Sequence, residues 1–316
     1  MSVLRTATLA AVVAGVVAAG PASAEQAPPL RLAAPSDCLT NPGCGIGLAR
    51  YYGVDVASVL TPLAEPGSGI GALDDGTADV AVVFSSDPRA ARPDLLQLKD
   101  DRGMLGPENL VPVIRSRTLK AYGRGASALR RRLAMVGRLL STTGLRELNQ
   151  LAIDGRMPEA IAGDWAEGHG LLAARPAHRR GPSIRLGYQA FAESETVTRV
   201  YEQVLAGAGY KVRSVPVHGF RERIRAAFRA RRIDGHISYA TSLLRFLQPS
   251  STATSARGVR RALEVAGRRV GLDVLPFARA QDGNLFVMTR ATASRLRVTR
   301  LSDLERYWPT QHAAAP

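Results

Sequence analysis

From residue 30 onward the chain alternates short apolar runs with amphipathic helical segments, and it does so in two rounds. In the first round Leu30 to Ala34, Val56 to Leu63, Ala78 to Phe84 and Val111 to Arg115 read as strands. Gly47 to Tyr52 and Ile70 to Leu73 open helices. A wholly helical stretch is expected from Lys120 to about Trp165, with Leu129, Leu133, Val136, Leu139 and Leu140 in helical spacing. Gly170 to Pro182, rich in Gly, Pro and Arg, breaks the pattern and reads as a linker. The alternation then restarts with strands at Ile184 to Gly187, Lys211 to Val217, Ile233 to Tyr239 and around Val287. Helices at Thr196 to Ala208 and Phe220 to Ala230 lie between them. Such alternation predicts an α/β protein with mostly parallel sheets.

The two rounds echo each other. Ala72 to Phe84 and Ala227 to Tyr239 are each a helix end, a tight turn, an Asp and a strand closing on an aromatic. This suggests two similar lobes, with Phe84 and Tyr239 at carboxyl strand ends, where ligands of α/β proteins sit.

The amino terminus reads as something other than fold. Arg5 precedes an apolar run of small residues from Thr6 to Gly20, and Pro21-Ala22-Ser23-Ala24 supplies a cleavage site. A run of roughly 15 residues falls short of the about 20 that a membrane span needs, so residues 1–24 are expected to be a signal peptide and the protein secreted. No Cys follows the site to carry a lipid anchor. Export makes Cys38 and Cys44 a candidate disulfide around the Asn41-Pro42-Gly43 turn, since two nearby cysteines in an oxidising compartment pair.

The net charge of +15 comes almost wholly from Arg and would attract anionic partners. The arginines are scattered along helices and not interleaved with aromatics, so a nucleic-acid partner is not expected. No G-x-S-x-G elbow, Walker loop or H-E-x-x-H occurs, and the His residues lack metal-ligand spacing. Neither an enzyme, a cofactor nor a metal is therefore expected. Gly67-Ser68-Gly69-Ile70-Gly71 lacks the spacing of a dinucleotide loop and reads as a strand-to-helix turn.

Several segments carry a family resemblance. Gly187 to Glu195, then Ala208-Gly209-Tyr210-Lys211-Val212, resembles the opening G-S-K-N-F-T-E-Q and A-G-Y-K-V of glycine betaine/choline (osmoprotectant) binding proteins of ABC importers. Ile233 to Ser242 resembles their I-D-L-Y-P-E-Y-T-G-T. Ala280 to Val287 resembles the segment that crosses into the second lobe, and Leu301 to Leu304 their I-S-D-L. The motifs that should follow stand instead at the start of this chain: Asp37 to Leu48, Tyr52-Gly53-Val54, Ala78 to Asp87, Leu98 to Arg102 and Asn109 to Arg115. The family's closing helices resemble Ser141 to Asn149 and Met157 to Trp165.

The resemblance implies a two-lobed periplasmic-binding-protein-like fold of type II, circularly permuted, with a ligand cleft between lobes. Lobe 2 would comprise 27–106 with 285–316 and lobe 1 residues 107–284, the linker 170–182 joining the family's end to its beginning. It implies a monomeric solute-binding protein that closes on a small quaternary amine or other compatible solute. The partners would be an ABC permease and its ATPase, with the membrane met only through the permease.

Quaternary ammonium groups are held by aromatic faces through cation–π attraction. Carried over onto this chain, the family's ligand contacts fall on Tyr239 and Phe84 (aromatic walls) and on Asn284 and Glu108, where two cage tyrosines are lost. They fall also on Gln189 and Asn41, in place of a Lys and an Arg that hold a carboxylate, and on Ser242, Asp37 and Asp282. Read without the resemblance, Phe84 is equally a core residue, Asn41 a turn cap, and Asp282-Gly283 a turn. The loss of two cations beside three acids favours a cationic or neutral solute without a carboxylate. The alternative is an exported module that has lost transport and serves as a sensor or binds anionic wall polymer through its basic surface.

Overall fold

In a computed structural model, residues 29–63, 68–172, 181–219 and 221–309 are described. The expected signal peptide, most of the linker and Phe220 lie outside these residues. The chain builds two five-stranded sheets, each flanked by helices, and is two-lobed. The first sheet contains β1 (Leu32–Pro35), β2 (Leu60–Leu63), β3 (Val80–Phe84), β4 (Leu95–Gln97) and, from far along the chain, β10 (Asn284–Thr289). The second contains β5 (Leu110–Arg115), β6 (Ile184–Gln189), β7 (Val212–Val217), β8 (Gly235–Tyr239) and β9 (Leu272–Val274). The orders are β2-β1-β3-β10-β4 and β7-β6-β8-β5-β9. In both sheets a parallel trio is followed by one strand running the other way and then a short edge strand.

The expectation of mostly parallel sheets is thus corrected: β10 is antiparallel to β3 and β4, and β5 is antiparallel to β8 and β9. The cause is how the chain enters. β10 and β5 each arrive by a segment crossing from the other lobe, Asn284 lying opposite Phe84 and Leu110 opposite Tyr239. A strand that enters beside the carboxyl end of its neighbour can only run back along it. The two echoing sequence segments occupy equivalent positions, β3 and β8 each holding the centre of its sheet.

Two short edge strands, β4 and β9, carry too few residues for an alternating signature. The helices are α1 (Gly45–Tyr52), α2 (Gly69–Asp74), α3 (Ser116–Ala121), α4 (Ala126–Leu139), α5 (Thr142–Ile153), α6 (Pro158–Gly168), α7 (Ala192–Gly207), α8 (Arg221–Arg229), α9 (Ala240–Leu247), α10 (Ala256–Arg269) and α11 (Arg290–Leu296). The stretch expected to be wholly helical holds the end of α3, a 3-10 turn at Gly123–Gly125, and α4, α5 and α6, with breaks between them. Leu140 adopts an extended conformation (ψ 111°), and the Ser141 hydroxyl caps α5 by accepting from Gly144 N at 3.1 Å. Gly155 takes φ 83°, and Pro158 opens α6, where its missing N–H costs nothing. The candidate strand at 56–63 is likewise divided into a single 3-10 turn, Val56–Ser58, and β2.

α7 shows why these helices form. Val197, Val200, Tyr201, Val204 and Leu205 recur at helical spacing and are all buried against α4, α5, α6 and the second sheet. No helix among the described residues is long and apolar enough to cross a membrane. The two ends of the described chain meet: Trp308, buried in the core beside the first sheet, donates its indole N–H to Leu30 O at 2.7 Å, and Asp55 N donates to Pro309 O at 2.9 Å.

Candidate functional site

Phe84, Gln189 and Tyr239 end β3, β6 and β8, and Asn284 begins β10, so all four lie where the two sheets face each other. The chain passes between lobes along two neighbouring segments there. Asn109 bridges Gln281, and Asp282 N donates to Glu108 O at 2.9 Å. Ser85 and Ser86, just past β3, reach across: Ser85 N donates to Gly283 O at 2.8 Å, and the Ser86 hydroxyl donates to Asp282 Oδ1 at 2.6 Å. From α5, Arg146 Nε donates to Ser85 O at 2.8 Å and Asn149 Nδ2 to Ser86 O at 3.0 Å.

Around Tyr239 the acids converge. Its hydroxyl donates to Glu193 Oε1 at 2.7 Å, and Asn149 Nδ2 donates to Glu193 Oε2 at 2.6 Å. Glu193 is buried in the first turn of α7, where the positive end of the helix favours a carboxylate. Glu108 accepts from Ser242 N at 3.1 Å and from the Ser242 hydroxyl at 2.7 Å. Among the described residues no Arg, Lys or His forms an ion pair with Glu193, Glu108 or Asp282.

The electrostatics follow from this crowding. Burial, and then the charge of Glu193, pushes the Asp282 carboxyl well above the usual range. Burial also raises Glu108, against the hydrogen bonds from Ser242 and the more distant charges of Arg221 and Arg245. The Tyr239 phenol is pushed far up by burial, then by Glu193 and Asp282. Beneath it His236 is buried with its Nδ1 2.9 Å from Gly187 O, and burial lowers it to about 4, so it is a neutral structural histidine. The arrangement is a cluster of buried carboxyls, Asp282 and Glu108 raised by burial, to which no Arg, Lys or His is ion-paired among the described residues.

Aromatic faces are present beside these acids. Phe191, at the start of α7, stacks on Tyr239 with centroids 6.5 Å apart and planes at 25°. Phe191 is 42% exposed and Phe84 37%, while Tyr239 is 9% exposed. Phe84 at the end of an apolar strand is therefore not core; its ring is open to solvent.

The other expected contacts are distributed unevenly. Gln189 is buried at the end of β6, its backbone N–H donating to the Ser194 hydroxyl at 3.0 Å. Asn284 Nδ2 donates to Gly43 O at 3.2 Å, which ties the cysteine turn to the start of β10. Asn41 spends its side-chain oxygen within that turn, accepting from Gly43 N at 2.8 Å. Cys38 and Cys44 are disulfide-bonded, with Cα atoms 5.1 Å apart. Asp37 is exposed in the Ser36–Thr40 turn.

Glu193, Phe191, Asn149 and Ser86 were not among the expected contacts. Phe191 and Glu193 stand in the Gly187 to Glu195 segment that carries the resemblance, and an acid in a helix's first turn beside an aromatic was the available signal. Asn149 and Ser86 join the site only through tertiary contacts.

A sequence profile of the family described as the substrate binding domain of ABC-type glycine betaine transport systems matches residues 24–168 and 182–315. The chain belongs to that family. Glycine betaine transport substrate-binding domains are extracytoplasmic binding proteins that take up small solutes and deliver them to a permease. They are not enzymes, and the mixed two-sheet architecture with its two crossing segments is the type II binding-protein fold. No curated protein sequence matches the chain. Among solved structures it is similar to the GluR0 ligand-binding core in complex with L-glutamate (11% identity, 89% of this chain and 91% of that one, TM-score 0.42). It is also similar to a phosphate-binding protein of a phosphate ABC transporter from Streptococcus pneumoniae TIGR4 (9% identity, 89% and 95%, TM-score 0.43).

Proposed function

We propose that this is a secreted solute-binding protein of an ABC importer that captures a small organic cation lacking a carboxylate, a choline-like quaternary amine being the leading candidate. The observation that carries the reading is the gathering of Glu193, Asp282 and Glu108 around Tyr239 and Phe191 with no cationic side chain paired to them among the described residues. A cation beside these groups gains both cation–π attraction and charge compensation. A betaine carboxylate would meet Gln189 and Asn41 in place of a Lys and an Arg, and would face three acids.

We assign lobe 2 to 27–106 with 285–316 and lobe 1 to 107–284, the chain being a circular permutation of its family. Three features support this. The profile match breaks at 169–181, within one residue at each end of the 170–182 stretch read as the join. The described ends are hydrogen-bonded together at Leu30 and Trp308. Cutting at the join and closing the ends would restore an order in which β6, β7 and β8 come first. Solute binds between Phe84 on one lobe and Tyr239, Gln189 and Ser242 on the other. The lobes close about the 105–109 and 281–284 segments, because the closed form binds solute more tightly.

Calorimetry with choline, glycine betaine, carnitine and polyols tests the reading. Choline is expected to bind more tightly than glycine betaine or carnitine, and Tyr239→Ala to weaken choline by at least about tenfold, the loss of one caging aromatic. Preference for a carboxylated or neutral solute, or unchanged affinity in Tyr239→Ala, would overturn it.

A further inference from the structure

A second concave site lies at the other end of the lobe 1 sheet, about 15–20 Å from Tyr239 by the length of β6. Here β6 and β7 begin and β5 ends, around a depression of about 530 Å³ lined in part by Arg117, Thr118, Ser183, Arg185, Arg213 and Asp234. Its charge does not balance. Asp234 is taken up mainly by Arg185, accepting from its backbone N–H at 3.1 Å, Nε at 2.7 Å and Nη2 at 3.0 Å, with the Thr118 hydroxyl donating to it at 3.5 Å. Arg117 and Arg213 form no ion pair among the described residues, although both border the depression. Arg213 is the register partner of Arg185 on the adjacent parallel strand, so two guanidinium groups share one face of the sheet, and the carboxylate of Asp234 lies on the far side of Arg185 from Arg213. Like charges paired across strands repel and weaken a sheet unless something neutralises them. Arg115, at the end of β5, adds to the excess: its Nη2 is buried without a hydrogen-bond partner, and burial, then the charge of Arg117, holds its guanidinium below the ordinary value.

We propose that this depression is a binding site for a phosphate group, separate from the solute cleft. The free groups at its rim are donors: the forks of Arg117 and Arg213 and the Ser183 hydroxyl. Guanidinium forks match the oxygen pairs of phosphate, and several oxygens of a tetrahedral anion can be met from different sides at once. The phosphate is either that of a small soluble ester or the headgroup of an anionic phospholipid.

The test uses the full mature chain and an Arg117→Ala/Arg213→Ala double variant. Both side chains are exposed, so an unchanged thermal melt verifies folding. Phosphorus NMR titration with inorganic phosphate and with glycerol 3-phosphate, at constant ionic strength set with chloride, is expected to show saturable one-to-one binding. The double variant should weaken it at least tenfold, and Tyr239→Ala should leave it unchanged. Co-sedimentation with phosphatidylcholine vesicles containing about 30 mol% phosphatidylglycerol then separates the sources. Retention lost in the double variant assigns a lipid headgroup; soluble binding without retention assigns a free ester. Absence of saturable binding by either soluble probe, or equal binding by the double variant, overturns the site. Vesicle retention that survives the double substitution also does so, since it would reflect charge spread over the whole surface.

Discussion

Asp282 sits in a conflict that can be measured. Its carboxyl is raised in the folded protein by burial and by Glu193, so the folded state holds a proton that the unfolded chain would release. Stability from such a group is present at acid pH and is lost as pH rises from the ordinary carboxylate value near 4 through the raised one. His236, held down to about 4, acts oppositely: its contribution is lost as pH falls from about 6.5. Asp282→Asn should therefore raise the melting temperature of the solute-free protein by a few degrees at pH 8 and change little at pH 4, as followed by circular dichroism. The same substitution should weaken binding of a cationic solute and flatten its dependence on pH, because wild-type binding must strengthen as Asp282 deprotonates. An unchanged melt at pH 8 would mean that the charge is not confined. Tyr239, Asp282, Glu108 and Ser242 were named from the sequence one by one through the family resemblance, but the hydrogen bonds from Ser242 to Glu108 were not. Glu193 was legible only as a charge. Asn149, which positions it, comes from a helix more than forty residues away, and no local pattern reports such a contact.

At the scale of elements, the Cys38–Cys44 turn and the start of α1 behave as one clamp. A Cβ added at Gly47 would lie 2.5 Å from Pro42 O and 2.6 Å from Met104 Sδ, and one added at Gly45 would lie 2.6 Å from Cys38 O. Gly47→Ala should destabilise the protein by about 1–3 kcal/mol through overpacking that backbone cannot relieve. Removing the disulfide as Cys38→Ser/Cys44→Ser should cost about 2 kcal/mol on the chain-entropy account of a short loop. Urea unfolding measures both. Since Asn284 holds Gly43 O, loosening the clamp should also weaken solute binding; affinity unchanged in the serine variant would separate the turn from the site. The disulfide and the main strands were readable from spacing and apolar runs. The direction of β5 and β10 was not, because it is set by where the chain enters each sheet and not by the residues within the strand. The three-residue strands β4 and β9 are too short to carry a period.

The whole molecule turns on its two crossing segments. Gly106 stands in one of them with no room for a side chain: a Cβ there would meet Thr241 Oγ1 at 2.5 Å. Small-angle scattering should record a decrease in the radius of gyration on the order of 1 Å when solute closes the lobes. Gly106→Val should reduce that change and weaken binding. Scattering identical with and without a bound solute would exclude closure as the mechanism. The two-lobed plan was legible from the restart of the alternation after residue 170 and from the echo of 72–84 in 227–239, since repeated local patterns survive in sequence. How the lobes meet was not legible, because it depends on backbone contacts such as Ser85 with Gly283.

The strand order also bears on how the protein comes into being. The lobe built on the first sheet starts with β1 but needs β10 between β3 and β4, and β10 is made almost last. The other lobe, inserted between those pieces, is complete before β10 emerges. A chain delivered from its amino terminus must therefore finish the lobe that starts second while the lobe that starts first waits with an open gap in its sheet. Until residues 284–289 arrive, the apolar edge of β3 has no neighbour, and a chain truncated before them should assemble the inserted lobe alone.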